Sequence, residues 1–119
     1  MSDLTKFPSR IFYKTVTIPE GSDTSDFVNL NGGLTLSGLT LPNSMTGTTL
    51  KIQSSDDRGH TFQDVYNKDG NRYDITVGSA NRKIGLVPQD CQMVDCFRVV
   101  SSSAEASDRA IVCVLRPLV

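Results

Sequence analysis

The sequence predicts an all-β fold: an antiparallel two-sheet β-sandwich, jelly-roll-like, with eight or nine short strands and an extended N-terminal arm. Apolar residues alternate with small polar ones in several short runs, which is the pattern of strands with one buried face. Glycine, proline, asparagine and aspartate interrupt these runs at short intervals, as turns between strands require. No repeat unit is visible, so a sandwich is favoured over a solenoid or a propeller.

The N-terminal half of the chain supplies the first strands. Residues 1–10 show no sustained period and contain Pro8, so they are predicted to form an extended arm, and residues 11–119 a single sandwich domain. The β-branched and aromatic run 11–18 is the first strand, and 20–26 is a polar loop. Strands follow at 27–30 and 34–41, where Gly38 interrupts the alternation and predicts a bulge.

The C-terminal half alternates in the same way. Residues 73–77 and 83–87 are predicted as strands, and 89–95 is the one place where a helical turn is expected. A strand at 97–101 is followed by the acidic stretch 101–108, which is predicted to be a flexible, solvated loop. Residues 110–115 are apolar on both faces, which predicts a strand in the middle of a sheet.

A hairpin between 50 and 66 organises the middle of the chain. Its turn carries the spacing S-x-D-x-G-x-T, contributed by Ser55, Asp57, Gly59 and Thr61. The carboxylate and hydroxyls can accept or donate hydrogen bonds within the turn, and glycine tolerates positive φ. The pattern resembles the Asp-box of sialidase propellers and other β proteins, where it is a structural turn. A second turn, a two-residue hairpin, is predicted at Asp69 and Gly70.

Composition excludes several functions. Twelve basic and thirteen acidic side chains are interspersed, so there is no basic stripe for nucleic acid. The N-terminus has neither a signal-peptide run nor a membrane span, and synthesis in a reducing cytoplasm is expected. Cys91, Cys96 and Cys113 are an odd number, so three reduced thiols are favoured over a disulfide framework, although whether Cys91 and Cys96 pair stays open.

No catalytic, cofactor or metal site is predicted. His60, the single histidine, lies in the Asp-box turn, and the adjacent Asp56 and Asp57 would point to opposite faces of a strand. Three cysteines and one histidine without zinc spacing make a zinc site improbable. Four loop aspartates offer calcium ligands without a calcium-loop spacing: Asp23, Asp26, Asp69 and Asp74. Four aromatic residues could line a sugar platform, although core packing is the more common role: Phe12, Tyr13, Tyr66 and Tyr73.

From about Asp26 to Pro117 the chain resembles small virion structural proteins of tailed bacteriophages. The resemblance lies in the order of NLNGGLTLSGLTLPNSMTGTTLKIQSSDDRGHTFQDVYNKDGN, GLVPQD and FRVVSSSAEASDRAIVCVLRP. Phe62 stands where that family tends to carry tryptophan. The resemblance implies a non-enzymatic β-sandwich on the particle surface, and three placements are open: a capsid decoration or cement protein, a head fibre or spike base, and a tail component.

A cement protein is the preferred hypothesis, because the chain lacks a fibre shaft, coiled-coil heptads and a collagen-like repeat. Its expected partners are the major capsid protein and other copies of itself, with a trimer as a guess from analogy. The candidate contact residues in and near the arm are Phe7, Ile11, Phe12 and Tyr13. The alternative is a tail- or fibre-associated module that binds a host surface glycan, which predicts an exposed aromatic cluster.

Overall fold

The computed structural model describes residues 11–117, apart from the side chain of Pro88, and forms two packed antiparallel sheets. The first sheet has the order β1 (Phe12–Ile18), β9 (Arg109–Pro117), β3 (Leu34–Thr40) and β7 (Lys83–Gly85). The second has the order β2 (Thr24–Asn29), β8 (Cys96–Ser101), β4 (Thr49–Ser55) and β5 (Gln63–Asp64), with β6 (Asp74–Thr76) also paired to β4. A helical turn, α1 (Pro88–Cys91), precedes β8, as predicted.

The pairing follows the path of a jelly roll. The first four strands pair in turn with strands taken backwards from the C-terminus: β1 with β9, β2 with β8, β3 with β7, and β4 with β6 and β5. The ribbon formed in this way is wound up, and the additional pairs β3–β9 and β4–β8 close the two sheets. The predicted two-sheet sandwich of jelly-roll-like kind is therefore confirmed.

The core lies between the sheets and comes from the inward-facing positions of each strand. In β9 these are Ile111, Cys113 and Leu115, all nearly inaccessible to solvent, while Val112 and Val114 on the other face are half-buried. β9 has β1 on one side and β3 on the other. The prediction that 110–115 lies inside a sheet is confirmed.

Two local predictions have different outcomes. The β3–β9 register shifts between Leu36 and Gly38, so the bulge predicted at Gly38 is confirmed.

The turn at Asp69 and Gly70 is present, but the predicted two-residue type with positive φ at both residues is wrong. Among the described residues of that loop only Gly70 has positive φ, at 84°. Asn67 and Asn71 flank a three-residue loop, and the Asn67 side chain accepts hydrogen bonds from Asp69 N–H and Asn71 N–H at 3.0 Å each. The Asn67 side chain therefore stabilises the three-residue loop, as asparagine commonly does in turns.

Candidate functional site

A row of planar side chains crosses the outer face of the second sheet. Phe27, Arg98, Gln53 and Asp64 lie on β2, β8, β4 and β5 and are register partners from each strand to the next. Their chain neighbours, such as Val28, Phe97 and Ile52, are buried in the core. Because successive residues of a strand point to opposite faces, the four members of this row, the Arg98 row, share the outer face.

The Arg98 row begins at an aromatic pair. The ring centroids of Phe27 and Phe62 are 5.9 Å apart with an interplanar angle of 54°. The guanidinium carbon of Arg98 lies 4.0 Å from the centroid of the Phe62 ring, which is cation–π distance. Phe27 is 49% exposed, so a large part of this aromatic pair is open to solvent.

Hydrogen bonds connect the members of the row. Arg98 Nε donates to Gln53 Oε1 at 2.7 Å, and Gln53 Nε2 donates to Asp64 Oδ1 at 2.8 Å. Lys51 Nζ lies 3.1 Å from Asp64 Oδ1. The hydrogen bond from Gln53 and the positive charge of Lys51 outweigh partial burial and lower the pKa of Asp64.

A second ion pair extends the row onto β6. Arg72 donates to both carboxylate oxygens of Asp74, from Nε at 2.6 Å and from Nη2 at 3.1 Å. This bidentate pairing raises the pKa of Arg72. Lys51, Arg72 and Asp74 line a depression of about 290 Å³ whose other walls include Asp23, Thr49 and Val100.

The Asp-box turn supports Phe27 from the neighbouring loop. Asp57 accepts hydrogen bonds from Ser55 Oγ at 2.7 Å, Thr61 N–H at 2.8 Å and Thr61 Oγ1 at 2.6 Å. The hydroxyls of Thr61 and Ser55 hold the pKa of Asp57 well below its usual range. Gly59 has φ 95°, and a Cβ there would lie 2.7 Å from the Phe27 ring. Glycine at 59 thus lets the turn contact the ring directly.

Glu105 is a buried carboxylate that the sequence did not reveal. Residues 101–108 were expected to form a solvated loop, and this prediction is wrong at Glu105, which is 1% exposed. Its oxygens accept hydrogen bonds from Thr46 N–H at 2.8 Å, Gly47 N–H at 2.9 Å and Ser101 Oγ at 2.7 Å. Arg109 Nε donates at 2.9 Å and completes an ion pair.

The pKa of Glu105 reflects two opposing causes. Burial alone would raise it, but the backbone N–H groups, the Ser101 hydroxyl and Arg109 together lower it to about 2. The backbone of Glu105 also bonds the loop after β1, accepting from Gly21 N–H at 2.8 Å and donating to Ser22 O at 2.9 Å. Glu105 therefore connects three loops at one end of the sandwich, which is a structural role.

The other residues considered for chemistry do not converge on one site. His60 and Asp56 are exposed on the Asp-box loop. No group of three metal-binding side chains occurs within residues 11–117, and the four loop aspartates belong to separate turns and pairs. The thiols of Cys91, Cys96 and Cys113 are free and buried. No helix in the described part of the chain is long and apolar enough to cross a membrane.

The aromatic residues named as a sugar platform are also dispersed. Phe12 and Tyr13 lie on β1 of the first sheet, whereas Tyr66 pairs with Arg72 beside the second. Tyr73 is half-buried and its hydroxyl accepts a hydrogen bond from Val87 N–H at 2.9 Å. The exposed Phe27 instead pairs with the half-buried Phe62 beside the second sheet. Alternation alone places Phe27 and Arg98 on outer faces, but only the register brings them together.

The candidate contact residues in and near the arm divide between two regions. Phe7 lies outside the described residues, whereas Phe12 and Tyr13 belong to β1 and pair with Leu115 and Val114. They are 47% and 63% exposed. β1 also contributes the buried Val16 and Ile18 to the core, so residues 12–18 are part of the sandwich.

Fold and surface together define a jelly-roll β-sandwich with one ordered polar and aromatic face. Compared with protein-family models, with curated proteins and with solved structures, the chain gives no match.

Proposed function

We propose that this chain is a non-enzymatic structural protein of a tailed-bacteriophage virion, most specifically a cement protein on the outer capsid shell. The proposal rests on the sequence resemblance and is supported by the fold, since jelly rolls are common in viral capsid domains. The chain would be made in the host cytoplasm and then bind assembled particles. Its partners would be the major capsid protein and neighbouring copies of itself.

The structural observation that supports the proposal is the position of β1 as the outer strand of the first sheet, where β9 is its one strand partner among residues 11–117. Thr17 N–H donates to Asp26 Oδ1 at 2.8 Å, so the backbone of Thr17 faces away from β9. Because backbone groups alternate along an antiparallel strand, those of Tyr13 and Thr15 face the same outer edge of β1. A strand of a neighbouring protein could pair with this edge next to the exposed Phe12 and Tyr13 rings.

The protein would stabilise the shell because many copies each bind the assembled lattice through a contact of standard size. A standard interface buries about 800 Å² on each partner. A protein that binds only the assembled lattice stabilises that lattice relative to separated subunits. Each additional copy on the shell then adds to the free energy needed to disassemble the particle.

A Thr15→Pro variant tests the edge without altering the β1–β9 hydrogen bonds. Proline removes only the outward N–H of residue 15, so the domain should fold and particle binding should fall. Thr15→Val, which keeps the N–H, should bind to stripped particles like the native protein. Full occupancy of particles by a folded Thr15→Pro variant would contradict binding through β1.

Copy number tests the placement on the particle. Quantitative gels of purified virions should give hundreds of copies for a shell protein, and a few copies would contradict the cement role. A few copies would favour the second candidate, a host-attachment module on the tail or its fibres. The observation that favours this second candidate is the contact of the exposed Phe27 ring with the half-buried Phe62 at one end of the Arg98 row.

A further inference from the structure

We propose that the outer face of the second sheet binds a neutral glycan, with Phe27 as the apolar contact and the depression lined by Lys51, Arg72 and Asp74 on the same face as the polar subsite. This inference specifies the ligand and the residues of the host-attachment candidate, and it does not depend on the cement role. Phe27 and the depression lie on the same face, since Phe27, Arg98, Gln53 and Lys51 all come from outward positions of β2, β8 and β4.

The charges of this face favour an uncharged ligand. Three cations, Arg98, Lys51 and Arg72, are matched by three carboxylates, which are Asp64, Asp74 and Asp23. An anion would meet the carboxylates and a cation would meet the guanidinium groups at short range. A polyhydroxylated neutral molecule can donate to the carboxylates and accept from the cations at once.

The shape and surface of the face suit a sugar. Ligand sites typically combine apolar and aromatic contacts with a few placed polar groups. Here an exposed ring provides the apolar contact, and the depression of about 290 Å³ provides hydroxyl, carboxylate and cationic groups from Thr49, Asp74 and Lys51. This volume is at the lower end for small-molecule sites, so one or two sugar units would occupy it.

The side chains are already ordered before a ligand arrives. Arg98 is fixed by the Phe62 ring and by Gln53, and Gln53 is fixed by Asp64. The Phe27 ring packs against Gly59 of the Asp-box turn. Because ordering of flexible side chains opposes binding, a face that is ordered in advance loses less entropy on binding a ligand.

The test is binding of the purified full-length chain to an array of neutral gluco-, galacto- and manno-oligosaccharides, with heparin and polyphosphate as anionic probes. Hits are then titrated by calorimetry with the free oligosaccharide. Phe27→Leu, which removes the ring, should weaken binding about tenfold. Thr49→Gln, which fills the depression with a neutral side chain, should weaken it by a similar factor.

Phe12→Leu is the matched control, since Phe12 is 47% exposed but lies on the first sheet. It should bind the oligosaccharide like the native chain, and circular dichroism should show all three variants folded. Three results would overturn the inference: no binding of any neutral oligosaccharide at millimolar concentration, binding of the anionic probes alone, or equal weakening by Phe12→Leu and Phe27→Leu. Particle occupancy of Phe27→Leu, measured in parallel, reports on the cement role separately.

Discussion

The Glu105 carboxylate accepts a hydrogen bond from Arg109 Nε at 2.9 Å in an ion pair that is almost wholly removed from solvent. The side chain of Glu105 is 0% exposed and that of Arg109 is 13% exposed. Truncating one member of such a pair leaves the other charge buried without its partner. Glu105→Ala should therefore lower the free energy of unfolding by about 3–5 kcal/mol. Chemical denaturation measures the change, with the exposed Glu20→Ala as control, and a loss equal to that of Glu20→Ala would contradict the role of the pair.

The same carboxylate makes folding stability depend on pH. The pKa of Glu105 is lowered from 4.5 to about 2 on folding, so the folded state favours the ionised form. The resulting stabilisation, about 3 kcal/mol, is complete above pH 4.5 and is lost as the pH falls towards 2. Asp57 and Asp64 also have lowered pKa values and contribute in the acid range.

The contribution of Glu105 is isolated by a variant. The difference in unfolding free energy between the native chain and Glu105→Gln should shrink as the pH falls from 4.5 to 2. Denaturant titrations at several pH values measure it. A difference that is constant over this range would show that Glu105 does not titrate with a lowered pKa.

Gly47 is the position where this buried network leaves no room for a side chain. A Cβ at residue 47 would clash with Ser101 Oγ and would lie 3.1 Å from Ser102 Oγ. Gly47→Ala should destabilise the domain by about 1–3 kcal/mol, since Ser101 must move and its hydrogen bond to Glu105 is disturbed. Gly33→Ala is the control, because no atom lies within 4 Å of a Cβ there and φ is not positive. Equal melting temperatures for the two variants would contradict the prediction.

The strands follow from local sequence patterns, whereas the long-range polar contacts do not, as Asp57 and Glu105 show. Asp57 bonds Ser55 and Thr61, two and four residues away, so local spacing was sufficient to predict the turn. Glu105 bonds Gly47, which is 58 residues away, and only the assembled fold places the two together. An isolated glutamate in a Ser- and Ala-rich stretch is normally exposed, so the composition of this stretch predicts an exposed Glu105, whereas the side chain is buried.

The Arg98 row could not be predicted from the sequence for the same reason. Alternation along each strand indicates which residues face outward, but four residues become neighbours only when β2, β8, β4 and β5 pair in one register. That register depends on packing between the sheets. The arrangement of side chains on this outer face could therefore be recognised only in the folded structure.

The Asp-box turn should depend on Asp57 and not on its neighbour. Asp57→Asn weakens the acceptor for Thr61 N–H, so amide hydrogen exchange at Thr61 should accelerate and the melting temperature should fall. Asp56→Asn is the control, since the described structure gives the Asp56 side chain no hydrogen bond. Unchanged exchange at Thr61 in Asp57→Asn would contradict the capping role.

The three thiols should be unreactive in the native protein. Burial raises the pKa of Cys91 to about 11 and that of Cys113 to about 12, and it also raises the pKa of Cys96. Because the thiolate is the reactive species, both low ionisation and low access suppress modification at neutral pH. A chromogenic disulfide reagent should therefore react with the three thiols only after denaturant is added. Rapid reaction of one thiol in the native state would contradict its burial, and fewer than three thiols in the unfolded chain would reveal a disulfide.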